Sequence, residues 1–185
     1  MRSNKHMKTE RVIVLITLFS ITLTVNGIAA DSELERATLK GISGVYVLID
    51  EIGPDAQEEG LTRSLLQTDV ETQLRKADIR ILKREKSLKP PGIPYLYVYV
   101  SAMNGKVIGL YAINIHVGLK QLIYIMRDPS IIIPVETWSV EWVGMVDFKQ
   151  MKESVQEQLR DLVGKFINAY LAVNPKEGRR DNLQN

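Results

Sequence analysis

Beyond residue 30 the chain carries a single histidine, His116, and none of its 185 residues is a cysteine. A thiol nucleophile, a thiolate-bound metal, an iron–sulfur cluster and a disulfide scaffold are thereby excluded, as is a lipid anchor attached through cysteine. A metal site needs three or more nitrogen, oxygen or sulfur ligands, and His116 has only Asn114 and Lys120 as polar near neighbours. A Ser-His-Asp triad lacks its nucleophile elbow, because Gly41-Ile42-Ser43-Gly44 sets glycines around a serine at the wrong spacing. His116 reads as a solvated or hydrogen-bonded strand residue.

Carboxylates are the remaining candidates for acid–base work, which needs two of them in environments that separate their pKa values. Asp50-Glu51 and Glu58-Glu59 fall in an acidic stretch that reads as a solvated loop. Asp69 and Glu71 fall on a helical pattern, where Glu71 and Arg75 make a favourable i, i+4 pair. Glu136 and Glu141 are better placed, since they flank Trp138 on a strand pattern. Their spacing of five puts them on opposite faces of a regular strand, so they cannot cooperate without a bulge between them. They read as charges that discourage sheet aggregation, and no pocket is expected to hold two ionisable side chains. No catalytic, metal-binding or cofactor-binding residue is assigned.

Two features suit binding rather than chemistry. Arg80, Lys83, Arg84, Lys86 and Lys89 form a basic stretch ahead of Tyr95, Tyr97 and Tyr99. They are candidate contacts for an anion or a partner, although charge runs are more often solvated faces. Ile131-Ile132-Ile133 lies between Pro129 and Pro134, where neither a helix nor a central strand fits well. These isoleucines either tuck under a sheet, the preferred placement, or stand exposed as a docking patch.

The elements that position these residues follow from the apolar periods. Gly44 to Ile49 is a buried strand pattern, and Asp50 to Glu59 a loop. Leu61, Leu65, Leu66, Val70, Leu74 and Ala77 recur at helical spacing, predicting a helix over Thr62 to Ala77 capped by Thr62. Ile79 to Leu82 reads as a short second strand, Lys83 to Pro94 as a linker and Tyr95 to Ala102 as a third strand. Asn104-Gly105 predicts a two-residue hairpin turn. Ile108 to Arg127 alternates over twenty residues, so a bulge or bend is expected near Gly118. Val135 to Val146 is a fifth strand, with Trp138, Val140, Trp142 and Val146 on one face. Asp147 and Gln150 make a capping-box pattern for a last helix, which ends near Asn174-Pro175. The predicted fold is α+β, in the order β-α-β-β-β-β-α. A mainly antiparallel twisted sheet carries two helices on one face, and the only parallel pairing joins the first two strands.

Residues 1–30 read as a secretory signal peptide. Arg2, Lys5, Lys8 and Arg11 precede fourteen uncharged residues from Val12 to Val25, and Ala29-Ala30 offers a small-residue cleavage site. The apolar run is short of the about 20 residues that a spanning helix needs, so cleavage near Ala30 is preferred over a retained anchor. The domain then covers residues 31–176 and a polar tail residues 177–185. This first segment holds four of the 24 basic residues and one of the 22 acidic ones, so its removal turns a formal charge of +2 into −1. No global basic field remains to attract nucleic acid.

Gly44-Val45-Tyr46-Val47, Gly60-Leu61-Thr62, Asp69-Val70-Glu71, Leu74-Arg75-Lys76-Ala77 and Glu136-Thr137-Trp138 stand along residues 38–176. They are joined by the more specific Phe166-Ile167-Asn168-Ala169-Tyr170-Leu171-Ala172-Val173-Asn174-Pro175. On these motifs the chain resembles a family of small secreted bacterial proteins of unassigned function. Its element order is similar to that of envelope accessory proteins serving lipid export and outer-membrane assembly, a likeness of fold that does not fix function. The expected function is a non-catalytic periplasmic accessory or interaction protein of the bacterial envelope, with an envelope protein as partner and no stable membrane span after processing. The alternative is a carrier of a small apolar or lipid-like ligand, held between an aromatic sheet face and a helix with Lys120 or Arg127 at the rim.

Overall fold

The computed structural model describes residues 32–83, 94–105 and 109–175. It runs α1 (Glu33–Ala37), β1 (Tyr46–Ile49), α2 (Pro54–Glu58), α3 (Arg63–Lys76), β2 (Tyr95–Gly105), β3 (Leu110–Ile125), β4 (Asp128–Asp147) and α4 (Met151–Val173). The architecture is α+β, a four-stranded mixed sheet in the order β1-β2-β3-β4. β2–β3 and β3–β4 pair antiparallel, and β1 runs parallel to β2. Residues 1–31, and with them the predicted signal segment, lie outside the described residues, as does the tail beyond Pro175.

Three elements differ from expectation. Ile79 to Leu82 adds no full strand: Ile81 makes one parallel bridge to Val45, while β1 takes β2 as its parallel neighbour. Four residues beside a basic linker offer too little ladder to compete. Asn104 and Gly105 are not the turn, since they pair with Tyr111 and Leu110, and the reversal comes after them, entering β3 through Gly109 at φ +67°. The acidic stretch folds its centre into α2, where Gly53 is the N-cap and Pro54 supplies the first helical position.

Alternation decides which face is covered. Leu96, Val98 and Val100 of β2, Tyr111 to Leu119 at odd positions of β3, and Trp138 and Val140 of β4 are buried on one face. Both α3 and α4 pack on that face. Thr62 caps α3 by accepting from the Leu65 amide at 3.2 Å, and α3 buries Leu66, Val70 and Leu74. α4 buries a stripe through Val155, Leu159, Leu162 and Phe166, whose ring meets Trp138 edge-on at 5.3 Å. Asp147 caps a 3-10 turn over Phe148–Gln150 rather than α4 itself, accepting from the Lys149 amide at 2.8 Å.

Candidate functional site

The helices leave the opposite sheet face open, and the side chains that could do chemistry gather there. On it stand Tyr95, Tyr97 and Tyr99 of β2, His116, Gly118 and Lys120 of β3, and Glu136 and Glu141 of β4, in the rows that the register dictates. The pattern of apolar residues allows Trp138 or Trp142 to join the tyrosines on this open face, but both tryptophans face the core because alternation in β4 sets them beside Val140 and against the helices. The space that would have held an apolar ligand, between sheet and helix, is filled by Trp138, Phe166 and Tyr170.

One irregularity assembles the polar cluster. Leu119 pairs with Trp138 but Lys120 pairs with Glu136, so Thr137 is an extra residue in β4. The expected irregularity near Gly118 therefore sits one row away, on the neighbouring strand. It reverses the parity of β4, so Glu136 and Glu141 share the open face despite their odd spacing. The carboxylates still do not meet. Glu136 Oε2 accepts from His116 Nε2 at 2.9 Å, and Glu141 accepts from Asn114 Nδ2 at 2.6 Å. Gly118 makes the first contact possible: a methyl group there would collide with the Glu136 carboxylate and lie 2.9 Å from His116 Nε2. His116, expected to be solvated or hydrogen-bonded, is the latter and only part-exposed.

Beside this pair Tyr97 donates a short hydrogen bond to Asp50 at the end of β1, and Lys120 Nζ lies 3.7 Å from the centre of the Tyr97 ring. The phenol proton, with the Glu51 amide, holds the Asp50 carboxyl below its ordinary value. The Asp50 carboxylate, followed by burial, pushes the Tyr97 phenol up to about 12. A lowered carboxyl pKa stabilises the fold above pH about 4 and loses that contribution as acid protonates Asp50. A raised phenol pKa stabilises it below pH about 10 and loses that contribution as pH climbs through about 12. Asp50→Asn should therefore bring the Tyr97 titration back toward 10, read from the ultraviolet phenolate band; an unchanged midpoint would show that the carboxylate is not its cause.

A cleft of about 590 Å³ where the end of α3 meets the segment 78–83 is lined by Glu71, Arg75, Asp78, Arg80, Ile81 and Lys83. It contradicts the expectation that no pocket holds two ionisable groups. Arg75 and Glu71 pair within it at 2.5 Å, as their spacing predicts. Of the basic candidates, exposed Arg80 and Lys83 line this cleft, while Arg84, Lys86 and Lys89 lie outside the described residues.

The most distinctive surface is an arm. β2 begins at Tyr95 opposite Lys120, so among the described residues β3 beyond Lys120 has only β4 beside it. The pair projects as a two-stranded hairpin turning at Met126-Arg127. Leu122, Tyr124 and Ile132 stand on its open side and Ile123, Ile131 and Ile133 on the reverse, each more than a third exposed, with Met126 at 96% on the tip. Ile131–Ile133 are thus exposed strand residues rather than tucked under the sheet. The prolines did not prevent a strand because β4 is the outer one, where a missing N–H leaves no ladder bond unmade.

The C-terminal motif has a structural task. Tyr170 donates to the Ile42 carbonyl at 2.6 Å. Asn174 donates to Leu39 O at 2.8 Å and accepts from the Gly41 amide at 2.7 Å. Together they tie the end of α4 to the segment entering β1. No family model matches the chain, and no curated protein matches it.

Proposed function

We propose that this chain is a non-catalytic interaction protein of the bacterial envelope, exported to the periplasm by its N-terminal segment, and that it docks to a partner protein through the β3–β4 arm. The observation that carries this reading is an arm apolar on both faces and covered by no described element. Exposed apolar surface of this kind costs solubility unless something covers it. The tip argues for a protein rather than a bilayer. Driving the arm into lipid would take Arg127 and Asp128 deepest, at about 2.5–3.5 kcal/mol each near the bilayer centre. Among the described residues no helix is long and apolar enough to cross a membrane. Docking by strand addition is disfavoured too, because Pro129 and Pro134 lack a donor and Glu136 and Glu141 charge the outer strand.

The test uses protein recovered from the periplasm, whose first residue should be Asp31. A photoreactive side chain replacing Ile133 should give a discrete protein adduct in cells, absent when the same group replaces exposed Glu153 on α4. Labelling of lipid alone, or identical adducts from both positions, would overturn the reading.

A further inference from the structure

The β1 edge of the sheet is not bare. Asp78, at φ +60°, turns the chain out of α3, and residues 79–83 then run alongside β1. The Val45 amide donates to the Arg80 carbonyl and the Leu82 amide to the Val45 carbonyl, each at 2.9 Å. These two bonds fix the orientation of the segment. Along an extended chain the amide and carbonyl of one residue point to the same side, and those of the next residue point to the other. With Arg80 O and Leu82 N–H turned to β1, the amide and carbonyl of Ile81 face outward, and neither bonds to a described residue. Unlike β4 at the other edge, this segment contains no proline; it reads Ile-Arg-Ile-Leu-Lys.

Against this edge lies the 590 Å³ cleft, between the segment and the last turns of α3. Its free charge is positive. Glu71 uses both carboxylate oxygens within the chain, accepting from Gln67 at 2.9 Å and from Arg75 at 2.5 Å, and Asp78 is likewise engaged. The carbonyls that close α3, those of Gln73, Leu74 and Arg75, are taken by the amides of Ala77, Ile79 and Asp78. Arg80 and Lys83 are exposed and have no ion-pair partner among the described residues.

The geometry points to a docking site for an acidic, extended peptide segment of a partner protein, which adds as a strand to Ile81 and carries carboxylates to Arg80 and Lys83. In this mode main-chain bonds supply affinity, and alternate side chains supply the choice of partner. A residue paired antiparallel with Ile81 exchanges two bonds with it. Its neighbours then set apolar side chains against Ile81 and Leu82 and acidic ones against Arg80 and Lys83. The preferred pattern is therefore acidic-apolar-apolar-acidic. A lipid headgroup or a free phosphate would satisfy the cations but leave the Ile81 amide and carbonyl unused. The site is separate from the arm, and its failure would leave the arm's role standing.

The probe is the peptide acetyl-Gly-Glu-Val-Val-Glu-Gly-amide, titrated into the protein while backbone amides are followed by nuclear magnetic resonance. The amides of Ile81 and Lys83 should move to saturation. N-methylating both valines keeps every charge in place and should weaken binding about tenfold, the worth of one or two hydrogen bonds. Arg80→Glu with Lys83→Glu should weaken it by about tenfold or more. Lys149→Glu with Lys165→Glu, an equal change of charge at exposed positions elsewhere, should not. No movement at Ile81, undiminished binding of the N-methylated peptide, or an equal loss in the control variant would overturn strand addition. So would shifts of the same amides with phosphatidylglycerol vesicles or inorganic phosphate that the peptide fails to displace.

Discussion

Trp138→Ala is expected to cost about 3–5 kcal/mol of folding stability, the range for deleting a large aromatic side chain from a packed core. Trp138 is 1% exposed on the core face of β4, and its ring packs edge-on against Phe166 of α4 at 5.3 Å. It therefore joins the outer strand to the long helix, and the cavity left behind is walled by two elements that cannot both close on it. Urea denaturation should show the loss as a shifted midpoint with an unchanged slope. Trp142, on the same face but only partly buried, should cost clearly less. Equal losses at the two positions would mean that the helix contact is not what distinguishes them.

Gly44→Ala should be comparably damaging, by about 2–6 kcal/mol, without creating any cavity. Gly44 enters β1 at φ +155°, a conformation that alanine adopts only with strain of about 1–3 kcal/mol. A methyl group there would also collide with the Arg80 carbonyl oxygen and approach Arg80 Cβ to 2.9 Å, and overpacking of that kind adds about 1–3 kcal/mol. The carbonyl cannot simply yield, because it accepts from the Val45 amide at 2.9 Å. Hydrogen exchange should speed up first at Val45 and Leu82, the amides of the small parallel bridge. Wild-type stability in Gly44→Ala would show that the 79–82 segment moves freely away from β1.

The α+β class, the helix over Arg63–Lys76 and the long helix ending at Val173 were legible because each is a periodic signal repeated over many residues; alternation also showed which strand residues share a face, but not that Trp138 and Trp142 belong to the covered one. The candidate site was not legible, and one residue explains why. Thr137 looks like any strand threonine, yet as the unpaired residue of a bulge it turns Glu136 to the face of Glu141. A pattern of period two states which residues alternate but not where one is inserted. Ile131–Ile133 misled for a different reason: the flanking prolines argued against a strand, and only the start of β2 opposite Lys120 shows that, among the described residues, β3 and β4 run on there as a lone pair. Asn104-Gly105 carried a strong turn signal that lost to two more rungs of antiparallel ladder.

The parallel pairing of β1 with β2 sets a timetable for folding. Tyr46 and Tyr95 are ladder partners 49 positions apart, whereas the β3–β4 hairpin closes on residues that are neighbours at its tip. Closing the short loop is the faster event, because long-range contacts must overcome more chain entropy before they are rewarded. A chain synthesised from its N-terminus delivers β1 early and without a neighbour, and α4, which seals the core, last. β1 must therefore wait as an unpaired apolar segment until β2 has emerged, the interval in which a chaperone that holds unfolded chains would have most to do.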